Sequence, residues 1–179
     1  MEGGMNRKIK IHTLGPKGTN CEKAGYLWLE SKKVDGDVEL YSTLEDALIE
    51  VRKNTHDLLL GCAVYPNLHK IVFENLDFLE IQDSFVMPTW NMVLAKNHSS
   101  SSNMEELTIA CHPAPSHLAY TYSQDVRFVS SNVQAALECI SGNVTACITT
   151  LKAAQDNNLK IMQDFGEIPM CFTIHGHRD

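Results

Sequence analysis

Three short stretches carry the residue types that hold anions and move protons: Leu14–Thr19, Cys111–Ser116 and Ser130–Asn132. In the first, Gly15, Pro16 and Gly18 punctuate a turn, and Thr19 and Glu22 stand at capping-box spacing. A helix starting there aims N–H groups and the positive end of its dipole at a carboxylate or phosphate. The second stretch holds His112, whose imidazole titrates near neutral pH and serves as acid or base. The third sets Ser131 and Asn132 at another helix start, with Ser131 and Gln134 spaced as its cap. Each stretch also has an ordinary reading: three strand-to-helix turns, Glu22 as a capping carboxylate, His112 as a hydrogen-bond partner of its own loop. Ligands of open α/β sheets lie beyond the carboxyl ends of strands, near helix N-termini, so the convergence of three such junctions argues for an anion-binding site.

The elements needed to position these stretches alternate along the chain. Strands are read at Lys8–Thr13, Asp37–Tyr41, within the apolar run His56–Val64, at Leu76–Ile81, Trp90–Lys96, Leu107–Cys111, Val126–Ser130, Ala146–Thr149, Lys160–Gln163 and Cys171–His175. Helices follow Thr19, Ser42, Pro115 and Ser131, and another spans Thr150–Asn157. Ser42 with Glu45 reads as a second capping box, and Leu44, Ala47, Leu48 and Val51 share one helix face. Asp83–Pro88 reads as a connection between strands, and Asn97–Asn103, with four consecutive serines, as a solvated loop. This alternation predicts an α/β fold in two lobes.

Composition narrows the partners. The 179 residues carry a formal charge of −7, which argues against nucleic acid as the main partner. No apolar run approaches the roughly 20 residues of a membrane span, so no membrane partner is expected, and Met1–Asn6 lacks the apolar core of a secretory signal. Cysteines 21, 62, 111, 139, 147 and 171 form no CxxC pair and no metal-ligand spacing. They read as free thiols of a reducing cytoplasm. His175 and His177 read as solvent-exposed, not as metal ligands.

Leu14-Gly15-Pro16-Lys17-Gly18-Thr19, with Glu22 and Ala24, resembles the opening motif of the prephenate dehydratase catalytic domain. His112-Pro113 is similar to that family's Ser-His-Pro-Gln-Ala motif, Ser131 to Ala136 to its Ser-Thr-Ala helix start, and Ala146-Cys147-Ile148 to its Ala-Ala-Ile strand. The likeness runs from Lys8 to Gly176 and implies a type 2 periplasmic-binding-protein-like fold with a cleft for prephenate. Over residues 8–178 it implies one catalytic domain, with lobe 1 at about 8–85 plus 164–178 and lobe 2 at about 88–163.

Two departures redirect the resemblance. Cys62-Ala63-Val64-Tyr65-Pro66 stands where dehydratases carry Pro-Ile-Glu-Asn-Ser, and Met170-Cys171-Phe172 replaces their Thr-Arg-Phe. A thioether donates no proton, and a thiol does not replace a guanidinium's fork of donors. Thr13 to Thr19, His112 to Pro115, Asp125-Val126-Arg127-Phe128, Gln134-Ala135-Ala136 and Ile168-Pro169-Met170 instead resemble the prephenate decarboxylases of bacilysin biosynthesis and their aeruginosin-pathway relatives.

That branch implies loss of CO2 alone from prephenate, with the ring hydroxyl kept. Met170 and Phe172 then offer an apolar wall for the leaving carboxylate, and Gly18, Thr19, Ser131 and Asn132 offer donors to the pyruvyl carboxylate. His112 is the candidate proton donor, and Tyr65 either holds the ring hydroxyl or packs. The resemblance implies no metal and no cofactor, since the ring diene accepts the electrons, and it allows a homodimer. Dehydration to phenylpyruvate and simple binding of a small molecule remain the alternatives.

Overall fold

The computed structural model describes residues 8–99 and 107–178. Residues 100–103 of the serine-rich segment lie outside them. In chain order the elements are β1 (Ile9–Leu14), α1 (Asn20–Lys32), β2 (Gly36–Tyr41), α2 (Leu44–Lys53), β3 (Leu58–Cys62), α3 (Leu68–Phe73) and β4 (Leu79–Pro88). They continue with β5 (Met92–Lys96), β6 (Ile109–Cys111), α4 (Ser116–Tyr120), β7 (Val126–Phe128) and α5 (Asn132–Ile140). The last are β8 (Ala146–Thr150), α6 (Leu151–Asp156), β9 (Lys160–Gly166) and β10 (Pro169–His177). The chain divides into two compact units, with the division falling at Met87/Pro88 and at Pro169/Met170.

Each unit is built on a five-stranded sheet. The first has the order β2-β1-β3-β10-β4 and the second β7-β6-β8-β5-β9. In the first, β1 runs parallel to β2 and β3, while β10 pairs antiparallel with β3 from Phe172↔Cys62 to His175↔Leu59. In the second, β6 is parallel to β7 and β8, and β5 is antiparallel to β8 and β9. Leu14, Tyr41, Cys62 and the start of β10 therefore share one edge of the first sheet. Cys111, Phe128, Thr150 and Met92 share the corresponding edge of the second.

Burial of both sheet faces explains the run of apolar residues in β3. Leu58 and Leu60 pack with Ile11, Ala24, Leu29, Phe172 and Ile174 beneath α1. Leu59, between them, points the other way and joins Leu44, Ala47, Leu48, Val51, Ile71 and Leu79 beneath α2 and α3. A strand covered on both faces has no polar alternation to display. In the second unit Ala135, Ala136, Cys139, Ala153 and Ala154 bring α5 and α6 down onto one face. Met92, Leu94, Ile109, Cys111, Ala119 and Ile148 fill the other.

Two local expectations are corrected, and one element is added. Asp83–Pro88 is not a connection: β4 runs through it as the edge strand of the first sheet. Asp83 is satisfied there because its carboxylate accepts from Trp28 Nε1 at 2.8 Å and pairs with Lys32 at 2.8 Å. The cap of α2 is Thr43 rather than Ser42, with Thr43 Oγ1 accepting from Asp46 N–H at 3.1 Å. Finally, α3 was not anticipated; it is a single short helix with no side-chain cap to announce it.

Candidate functional site

At the start of α1 the chain folds as its residue types dictate, yet it uses up the donors it was expected to offer. Gly15 packs so close to β2 that a Cβ would sit 3.2 Å from Leu40 Cβ, and its N–H donates to Tyr41 O at 2.7 Å. Gly18 holds φ +85°, the left-handed region that glycine enters without a Cβ penalty. Thr19 caps α1, accepting from Glu22 N–H and donating to Leu14 O, both at 3.4 Å. Glu22 reaches back one residue further than a capping box requires, and its carboxylate accepts from Gly18 N–H at 2.6 Å. The Gly18 N–H and the Thr19 hydroxyl are thus committed within the chain, and an internal carboxylate already sits at this positive helix end.

The helix start of α5 is different. Ser131, 6% exposed, caps it by accepting from Gln134 N–H at 3.0 Å. The first turn contains no acidic residue, whereas those of α1 and α2 hold Glu22 and the pair Glu45 and Asp46. Thr149, at the end of β8, anchors the turn by donating to Asn132 O at 2.5 Å. The Asn132 side chain leaves its Oδ1 buried without a hydrogen-bond partner. With no carboxylate of its own, this helix end keeps its attraction for an external anion.

His112 follows β6 and is half-buried. Its Nδ1 accepts from Ala114 N–H at 3.2 Å, so the ring carries its proton on Nε2. Burial also holds its pKa below the ordinary 6.5. Both the Ala114 N–H on Nδ1 and the lowered pKa favour the neutral ring over an imidazolium, which leaves an Nε2–H to donate. Beside it, Cys111 is fully buried and its thiol is pushed up to about 12 by desolvation, which makes it inert.

The remaining candidates separate into surface and core. Tyr65 donates to Glu45 Oε2 at 2.6 Å and accepts from Leu44 N–H at 3.4 Å, so its hydroxyl serves the start of α2. Phe172 has no exposed surface; its ring stacks on Phe85 at 5.8 Å within the core beneath α1. Met170 packs against the same core and is only partly buried, and it alone of the two presents an apolar edge. His175 is 1% exposed, a correction to the expectation of exposure. Its Nε2 bonds Thr173 Oγ1 at 2.8 Å, and burial brings its pKa down to about 4. His177 is held too, donating from Nε2 to Val51 O at 2.8 Å.

Sequence reasoning missed one polar cluster altogether. His12, 3% exposed in the middle of β1, bonds Tyr41 OH through Nδ1 at 2.8 Å and Asp57 Oδ2 through Nε2 at 3.0 Å. The available signal was a histidine inside a β-branched strand, which a core does not accept without partners. All six cysteines are free. Among the described residues no group of three His, Cys, Asp or Glu side chains is placed to hold a metal ion, and no helix is long and apolar enough to cross a membrane.

No family model matches the chain. Among curated proteins it is 28% identical over 183 residues to a prephenate decarboxylase of Planktothrix agardhii, covering 94% of this chain and 88% of that one. It is 24% identical over 184 residues to the prephenate decarboxylase of Bacillus subtilis strain 168, covering 98% and 90%. Among solved structures it matches the prephenate dehydratase of Arthrobacter aurescens in complex with L-Phe, with a TM-score of 0.68 at 16% identity. That match takes in 95% of this chain and 61% of the dehydratase. The periplasmic VFT2 domain of Bordetella pertussis BvgS matches with a TM-score of 0.59 at 14% identity over 95% of this chain and 80% of that one. These structural likenesses establish the fold, a type 2 periplasmic-binding-protein-like α/β fold shared with the prephenate dehydratases. By sequence, over nearly all of its length, the chain is similar to the prephenate decarboxylases of Planktothrix agardhii and Bacillus subtilis.

Proposed function

We propose that this protein decarboxylates prephenate without aromatising it, within a cytoplasmic natural-product pathway. The observation that carries the reading is the Met170-Cys171 pair, at the position where the dehydratase motif has Thr-Arg, in a chain whose curated relatives are prephenate decarboxylases. The C–C pair of the ring carboxylate moves into the ring diene, CO2 departs, and one proton from solvent adds to a ring carbon. The hydroxyl stays. Poor solvation of the leaving carboxylate favours the step, because its charge disperses as the bond breaks. Met170 supplies that apolar edge, with Phe172 behind it as core.

In the second unit, Ser131, Asn132 and the first turn of α5 are the donors proposed for the pyruvyl carboxylate, and His112 Nε2–H is proposed as a further neutral donor. In the first unit, Gly18, Thr19 and Tyr65 keep only a supporting role in this reading, since the Gly18 N–H and the Thr19 and Tyr65 hydroxyls are already paired within that unit. Six free thiols fit a reducing compartment. Dehydration would need a proton delivered to the ring hydroxyl. Met170 has none to give, and Cys171 is a weak donor. The test is mass-resolved product analysis after incubation with prephenate above the pH at which it aromatises unaided. A product lighter by CO2 alone supports the reading, phenylpyruvate above the enzyme-free control refutes it, and unconsumed prephenate points to a binding module.

A further inference from the structure

Helix α3 and the loop before it form an apolar face on the first unit. Phe73 is 73% exposed, the most open large apolar side chain among the described residues, and Val64 and Leu76 are close to half exposed. Val64, Pro66, Leu68, His69 and Val72, together with Phe73, line a groove of about 540 Å³. The helix is anchored from its other side by Ile71, which is buried with Leu44, Leu48 and Leu59. A small ligand is held by a few convergent polar groups that fix its orientation. Here the two nearest, the Tyr65 hydroxyl and the Asn67 amide, both donate to Glu45, at 2.6 and 3.1 Å. From Gly61 to Phe73 there is no Asp or Glu, in a chain whose formal charge is −7. Two copies of an acidic chain can meet on such a face without bringing carboxylates together.

A protruding ring and a groove lie side by side on this face, which is what an isologous contact requires: under a two-fold axis every contact is repeated in reverse. We infer that the protein forms a homodimer about a two-fold axis at α3, with Phe73 of each copy seated in the Val64–Val72 groove of the other. The charges fit this axis. Lys70 and Glu74 are both exposed and stand one helical turn apart. When two α3 helices cross antiparallel about Val72, Lys70 of each copy faces Glu74 of the other, and two opposite-charge pairs close at the rim. A parallel crossing would set Lys70 against Lys70 and Glu74 against Glu74, and like charges so juxtaposed oppose it. An aromatic anchor in an apolar pocket, ringed by groups that exclude water, is where binding energy concentrates. The contact uses neither Met170 nor the start of α5, so it stands apart from the prephenate reading.

Sedimentation velocity of the full chain between about 1 and 100 μM reads the assembly, because the dimer fraction rises with concentration. Wild type is expected to reach twice the 20.0 kDa chain mass at the upper end. Phe73→Asp should weaken association about tenfold or more, with an unchanged far-ultraviolet circular dichroism spectrum, since the ring is exposed in the single chain. Lys70→Glu alone and Glu74→Lys alone each set like charges across the axis and should weaken the homodimer. Mixed in equal amounts, those two variants should form a heterodimer more readily than either forms a homodimer, because every Glu then faces a Lys. A folding defect in either variant could not produce that gain. A wild type that stays monomeric overturns the inference and leaves the face to a partner of different sequence. A dimer indifferent to Phe73→Asp overturns it as well, since the contact then lies elsewhere. So does a mixture of the two charge variants that associates no better than each does alone.

Discussion

Three residues carry predictions of different kinds. In the proposed reading His112, with Ala114 N–H on its Nδ1, serves as a neutral donor. An imidazolium acid would lose activity as pH rises through about 6.5; kcat/KM for prephenate should instead stay level between pH 7 and 9. His112→Gln, which keeps an N–H, should retain more activity than His112→Ala, and a fall in rate tracking imidazole titration would refute the neutral role. Met170→Thr with Cys171→Arg restores dehydratase-like donors. That double variant should lower decarboxylation about tenfold or more and yield some phenylpyruvate; parental behaviour would contradict the role given to the segment. His175 is a matter of stability. Its folded pKa of about 4 lies below the ordinary 6.5, so the unfolded chain takes up a proton first as pH falls. The folded state should keep its full stability above pH 6.5 and lose about 3 kcal/mol as pH falls toward 4. Urea unfolding at pH 7 and pH 4.5 checks this, and a His175→Gln variant with the same pH dependence would contradict it.

The elements divide between those that announce themselves and those that do not. Helix α2 was legible because Leu44, Ala47, Leu48 and Val51 recur on one face and all are buried. Strand β3 was legible as an apolar run because both of its faces are covered. By contrast, β4 carries Asp83, Ser84 and Pro88, residues that signal a turn, and only the bonds from Trp28 and Lys32 reveal why an edge strand tolerates them. His175 was misjudged because it alternates with Ile174 on a strand whose two faces are both buried, a fact no local pattern records. The loop before α1 yields a further prediction. A Cβ at Gly18 would meet nothing within 4 Å, so Gly18→Ala should cost about 1–2 kcal/mol through backbone conformation alone. Thermal unfolding measures it, and an unchanged midpoint would mean that the loop relaxes. In the same vein, Phe172→Ala should destabilise by about 3–5 kcal/mol, and Met170→Ala by much less while lowering activity.

At the scale of the whole molecule, two five-stranded mixed sheets with helices on both faces place the polar junctions of each unit along one edge of its sheet. Order along the chain made the fold legible: strand and helix signals alternate from Lys8 to His177, and the motifs fall at strand ends. The chemistry was legible only in part. The resemblance offered Gly18 and Thr19 as donors and left Tyr65 to hold the ring hydroxyl or pack, but hydrogen bonds to Glu22, Leu14 and Glu45 spend those groups, and such pairings depend on tertiary placement. Residue types also left the His12–Tyr41–Asp57 cluster unseen, since its three members stand far apart in sequence. The fold leaves available an acid-free helix start and an imidazole Nε2–H in the second unit, and a partly buried apolar edge at Met170 in the first. The most direct measurement is the mass and ultraviolet spectrum of the product formed from prephenate at a pH where it does not aromatise alone. The account predicts a non-aromatic keto acid that has lost CO2 and kept its hydroxyl. Phenylpyruvate as the enzyme-dependent product would contradict it.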